Sequence, residues 1–149
     1  MKYTFSMENP SKQFLAIQVE IENISSDSIL LNLPSWRPGR YEIGNFAKNV
    51  RSFKVLDEKN KELPFTKLSK DSWQVQTKGA ESVSVEYEYY AAELNAGSTW
   101  LDDSQMYVNP VNCCVYDSSR MDEECEVELK VPYPFEVACG MKKKEDLIL

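Results

Sequence analysis

An antiparallel β-sandwich of about ten short strands, with at most one short helical turn, is the fold this 149-residue chain predicts. Three observations point to it. Apolar residues recur with period two almost everywhere, the side-chain alternation of a half-buried strand. Turn formers punctuate the chain every 8–15 residues or so, the spacing of an all-β domain. Only one segment carries a helical period: Ile43, Phe46, Ala47 and Val50 fall at i, i+3, i+4 and i+7, predicting a turn or two of helix over residues 43–49.

The elements follow in order. Leu15, Ile17, Val19 and Ile21 alternate with Ala16, Gln18 and Glu20, so residues 13–22 form a strand with one buried face. Residues 28–33 follow after the polar turn 23–27. Strands at 50–56 and 63–68 flank the loop Asp57-Glu58-Lys59-Asn60-Lys61, a hairpin signal. Residues 72–77 set Trp73 and Val75 on one face. Val83, Val85, Tyr87 and Tyr89 alternate with Ser84, Glu86 and Glu88, the clearest strand in the chain, and the alternation sends Tyr87 and Tyr89 to the core rather than to a carbohydrate platform. Residues 92–104, polar and containing Asn95-Ala96-Gly97, form a long connection. Strands at 105–108 and 111–116 follow, separated by Asn109-Pro110, where proline forces an edge or a bend. A last pair, 124–131 and 135–141, brackets Pro132-Tyr133-Pro134. With no internal repeat or linker, residues 1–149 read as a single domain.

Composition narrows the chemistry. Hydrophobic residues make up 42% and charged residues 28%, ordinary usage for a globular chain. At this length folding buries roughly two thirds of the unfolded surface, so no disulfide or metal staple is needed. The net charge of −7 disfavours nucleic acid, which needs a basic face, and Lys142-Lys143-Lys144 is too short to supply one. The apolar runs are too short to span a membrane. Histidine is absent, which rules out a Ser-His-Asp triad and histidine-ligated zinc on this chain. Cys113, Cys114, Cys125 and Cys139 lack CxxC spacing and read as reduced, mostly buried thiols, with a Cys125–Cys139 bridge as the alternative. The acidic clusters Asp102-Asp103 and Asp122-Glu123-Glu124 lack an EF-hand pattern and read as solvated loops. No apolar core of a signal peptide follows Lys2, so the chain as given reads as cytoplasmic. A chain whose signal had been removed and a Met added would look the same, which leaves a secreted or periplasmic parent open.

One segment stands apart. Leu33-Pro-Ser-Trp-Arg-Pro-Gly-Arg-Tyr41 holds a Pro38-Gly39 turn of type II, and its two prolines remove backbone donors, so it is a stiff loop. It carries Trp36, Arg37, Arg40 and Tyr41. Either Trp36 and Tyr41 cap the sandwich while the arginines are solvated, or the loop is a contact surface for a partner or substrate.

This stretch, continued by Glu-Ile43-Gly-Asn-Phe46-Ala47-Lys-Asn49-Val50, resembles the N-terminal domain signature of the glycyl aminopeptidase family, PDZ-containing zinc metallopeptidases of the thermolysin-like clan. The family pattern is approximately L-P-x-W-x-P-G-x-Y-x-I-x-x-F-A-x-x-V, and every fixed position is filled. Tyr107-Val-Asn109 and Val131-Pro132 also fit. The resemblance implies a non-catalytic β domain that packs on a separate catalytic domain, which would hold the zinc, and helps shape its peptide cleft. It implies no catalytic residue, metal ligand or cofactor on this chain, and a contact loop of Trp36, Arg37, Pro38, Gly39, Arg40, Tyr41 and Phe46. The expected partners are that catalytic domain and a peptide substrate. Leu147-Ile148-Leu149 reads as the start of a further segment, so the chain looks like an excised piece that would self-associate through a bared apolar face. The alternative from another class is a free-standing module that binds protein or carbohydrate through the Trp36–Tyr41 loop.

Overall fold

The computed structural model describes residues 1–144; the reading of Leu147–Leu149 lies outside them. Eleven strands form in chain order: β1 (Lys2–Asn9), β2 (Phe14–Ile21), β3 (Ser28–Asn32), β4 (Val50–Asp57), β5 (Phe65–Ser69), β6 (Ser72–Gln76), β7 (Val83–Tyr90), β8 (Trp100–Leu101), β9 (Met106–Tyr107), β10 (Tyr116–Asp117) and β11 (Glu126–Lys130). One sheet has the order β11-β1-β2-β7-β4, a second β10-β3-β6-β5, and β8 and β9 make a small hairpin of their own. All pairings are antiparallel except β1 with β11. Among the described residues no helix is long and apolar enough to cross a membrane.

The alternation seen in the sequence is what closes the core. On β2 and β7 the pairs Leu15–Tyr89, Ile17–Tyr87, Val19–Val85 and Ile21–Val83 stand opposite one another, and all eight side chains are buried. From the second sheet Ile29, Leu31, Trp73 and Val75 meet them. Phe53 of β4 bridges the layers, stacked on Trp73 at 4.7 Å and edge-on to Phe65 at 5.0 Å. Such pairs add to the area term, which is about 25 cal/mol per Å2 of apolar surface buried. The opposite face of the first sheet is wet and paired: Lys2–Glu128, Arg51–Glu88 and Lys54–Glu86 cross it at 2.7–3.2 Å.

Four segments differ from the sequence reading, besides β8, which falls inside the connection expected over 92–104. First, β1 adds a strand at the N-terminus, with Tyr3, Thr4 and Phe5 buried. Second, the turn after β4 forms as expected, with Asp57 Oδ1 accepting from the amides of Lys59 and Lys61 at 2.9 Å. Its arms do not stay together, however: Leu63 still bonds Val55, but the Pro64 carbonyl already accepts from Gln76 at 3.0 Å and β5 joins the other sheet. Third, residues 110–113 are a helical turn, not a strand. Pro110 sits at the first helical position, where its fixed φ fits and its missing N–H costs nothing. Fourth, residues 135–141 form no strand, and β11 pairs with β1 instead. Pro132 and Pro134 lack the donors a tight hairpin would use. The helical segment expected at 43–49 is a 3-10 turn, Phe46–Asn49, and three other single turns accompany it.

All four cysteines are free thiols. Cys113 is buried and Cys114 half-buried, but Cys125 and Cys139 are exposed, so the reading of mostly buried thiols holds for only part of the set. The exposed pair lies in the irregular stretches flanking β11, which give a side chain little to pack against.

Candidate functional site

The loop from Pro34 to Gly44 leaves β3 and returns to the 3-10 turn at Phe46. Its neck is closed by the Gly44 amide donating to the Ser35 carbonyl at 2.6 Å. At its tip Gly39 has φ +85°, as the second central position of a type II turn requires, and the Arg40 amide reaches the Arg37 carbonyl at 3.4 Å. Phe46 is buried, and its ring lies against the Cα of Gly44 so closely that a side chain there would displace it. Phe46 therefore supports the loop from below and is not part of its contact surface, a correction to the contact set read from the sequence.

The other members divide clearly. Trp36 is 50% exposed, Tyr41 99% and Ile43 72%, so none of them plugs the core. Pro38 and Gly39 are exposed at the tip and hold the turn. The two arginines have different partners. Arg40 donates through Nε and Nη2 to one carboxylate oxygen of Glu42, at 2.6 and 2.5 Å. Arg37 instead lays its guanidinium on Gly97, in the long connection between β7 and β8.

That second loop is the part the sequence did not single out. Gly97 is buried, and its carbonyl accepts from Asn109 Nδ2 at 2.7 Å and from Asn112 Nδ2 at 3.1 Å. Asn112 Oδ1 is a buried acceptor without a partner among the described residues. Ala96 and Ser98, on either side of Gly97, line a pocket of about 280 Å3 together with Leu94, Trp100, Gln105 and Tyr107. Leu94 and Tyr107 are largely exposed. The Asn95-Ala96-Gly97 signal was visible in the sequence as a loop, but its contact with Arg37 spans some sixty residues and leaves no local trace.

Asp102 fixes the floor of this loop. Its carboxylate accepts from the Ser104 hydroxyl and amide (both 2.7 Å), the Trp100 indole N–H (2.8 Å) and the Gln105 amide (2.9 Å). These donors, the Ser104 hydroxyl foremost and then the Trp100 indole, hold its pKa down to about 2. A depressed carboxylate pKa gives stability that is present above the unfolded value near 3.8 and lost as pH falls through 2. The Trp100 indole proton resonance should therefore titrate with a midpoint near 2 in acid. A midpoint near 4 would mean that these bonds do not form in solution.

Among the described residues no three His, Cys, Asp or Glu side chains gather where they could hold a metal ion. The zinc implied by the family resemblance finds no ligand set here, and no step of any reaction is assigned to it on this chain.

A family model described as the Peptidase M61 N-terminal domain matches residues 2–147. The crystal structure of an aminopeptidase N family protein from Idiomarina loihiensis superposes with a TM-score of 0.81 at 27% identity, covering 89% of this chain. The chain spans 22% of that protein's length. No curated protein matches it.

Proposed function

The chain belongs to the Peptidase M61 N-terminal domain family, and from that premise we propose that it is the non-catalytic β domain of a zinc aminopeptidase of the glycyl aminopeptidase type. It packs on the catalytic domain through the Trp36–Ile43 loop and the neighbouring segment 94–107, and walls part of the peptide cleft. The observation that carries this reading is a braced loop with Trp36, Tyr41 and Ile43 held out of a core that closes without them. Rigid aromatic side chains presented this way lose little entropy on binding. The ion-paired outer face of the first sheet is the poorer candidate, since its charges are already satisfied in water.

The test is Trp36→Ala in the full-length protein. We expect kcat/KM on a peptide substrate to fall about tenfold or more, roughly 1.4 kcal/mol, while the melting temperature of the β domain stays close to that of the parent. Unchanged activity per folded molecule would overturn the reading and favour a free-standing binding module.

A further inference from the structure

We propose that Arg37 and the pocket beside it bind the C-terminal carboxylate of a peptide, with the terminal apolar side chain in the pocket. The inference deepens the reading of this face as part of a peptide cleft and rests on it.

The first observation is an arginine without a mate. In a chain with 24 Asp and Glu residues, Arg40, Arg51 and Arg120 each pair with a glutamate. The Arg37 guanidinium makes no hydrogen bond or ion pair among the described residues, although the residue is half-buried. Five N–H donors are thus held at the surface with no acceptor from the described residues.

The second observation is how that group is held. A Cβ placed on Gly97 would strike Cζ, Nη1 and Nη2 of Arg37 together, so the guanidinium lies face-down on the glycine. Lying face-down leaves the N–H edge free, and that edge is the fork that matches the two oxygens of a carboxylate. Both sides of the seat are fixed: the Pro38-Gly39 turn holds the arginine, and Asn109 and Asn112 hold the glycine. A fork positioned in advance loses less freedom on binding than a mobile side chain would.

The third observation is the pocket. Its walls include Ala96 and Ser98, the chain neighbours of the glycine under Arg37, with Leu94, Trp100 and Tyr107 supplying apolar surface. Its volume of about 280 Å3 holds one apolar side chain with room to spare. A carboxylate and a side chain on one carbon, set next to each other, describe the last residue of a peptide. An internal residue presents no such pair.

The experiment is an NMR titration of this chain, following the Arg37 Nε–H and Gly97 amide signals. The probes are acetyl-alanyl-leucine, its C-terminal amide, and acetyl-glutamyl amide, whose only carboxylate is on the side chain. We expect saturable shifts with the acid at millimolar concentration and about tenfold or more weaker binding of the amide, the loss typical of a charge-assisted bond. Arg37→Gln should abolish the preference for the acid, and Arg37→Lys should restore only part of it. Unshifted signals from the buried Val85 and Tyr87 will show that each variant is folded. Gly97→Ala, which displaces the guanidinium, should weaken the acid as well. Equal binding of acid and amide, equal or tighter binding of acetyl-glutamyl amide, or no saturable shift with the acid would each overturn the proposal. Because the catalytic domain is absent from this measurement, such a failure leaves the docking role of Trp36 to be judged by its own test.

Discussion

Trp73→Ala should cost about 3–5 kcal/mol of folding stability, whereas Trp36→Ala should cost less than about 1 kcal/mol. The two residues are the same side chain in opposite settings. Trp73 is 2% exposed in the middle of the second sheet, between Leu31 and Lys67 on its neighbouring strands. Phe53 is stacked on it from the first sheet, and the Lys67 ammonium stands 5.3 Å from its ring centre. Truncation there opens a cavity between two sheets that cannot collapse onto it without breaking strand register. Trp36 has half its surface in water already and no ring partner among the described residues. Urea titration of both variants against the parent chain measures the difference. A Trp36→Ala loss comparable to that of Trp73→Ala would place the loop in the core and remove the basis for a contact role.

The contrast shows which structural levels the sequence exposes. Strands β2, β3, β6 and β7 were legible because each buries one face, and a buried face writes period two into the chain. The turn at Asp57–Lys61 was legible because its residues are local turn formers. Sheet membership was not. Nothing near Leu63 says that β5 will leave β4 for β6, where Phe65 and Lys67 stand opposite Val75 and Trp73 within the second sheet. The parallel pairing of β1 with β11 joins residues more than a hundred positions apart, and the run 111–116 was too short for its period to separate strand from helical turn. The same division holds at the candidate site. The stiffness of the Trp36–Tyr41 loop was readable from its prolines and glycine, while the exposure of Trp36 and Tyr41 was not. The pairing of Arg40 with Glu42 is local, two residues apart in the loop, whereas the seat of Arg37 on Gly97 is a tertiary fact with no local signature.

Tyr87→Phe should destabilise the chain by about 2–6 kcal/mol, although it removes a single oxygen atom. The Tyr87 hydroxyl donates to the Cys113 carbonyl at 2.5 Å and accepts from the Val115 amide at 3.1 Å. It thereby closes the backbone where the helical turn 110–113 gives way to β10. Burial pushes the phenol pKa well above its ordinary value, so it remains a neutral donor at any pH the fold tolerates. Phenylalanine fills the same space and leaves no cavity of consequence, but it strands a carbonyl and an amide between residues that are fully buried. Each stranded group costs about 1–3 kcal/mol, because no partner replaces the lost bond. Tyr89→Phe is the internal control. Among the described residues that hydroxyl accepts only from Asn49 Nδ2, at 3.2 Å in a partly buried bond, so its loss should cost under about 1 kcal/mol. The larger effect should also be felt at the surface. Residues 109–115 carry the two asparagine amides that hold the Gly97 carbonyl, and Gly97 is the seat of Arg37. Amide exchange in the Tyr87→Phe variant should therefore speed up most at Val115, with the Arg37 Nε signal broadening in step, while β2 and β6 lose only the protection that the lower global stability removes. If Tyr87→Phe costs no more than Tyr89→Phe, or if exchange rises evenly over the whole chain, the hydroxyl bridge is not what fixes this segment, and the seat of Arg37 must be held by the asparagines alone.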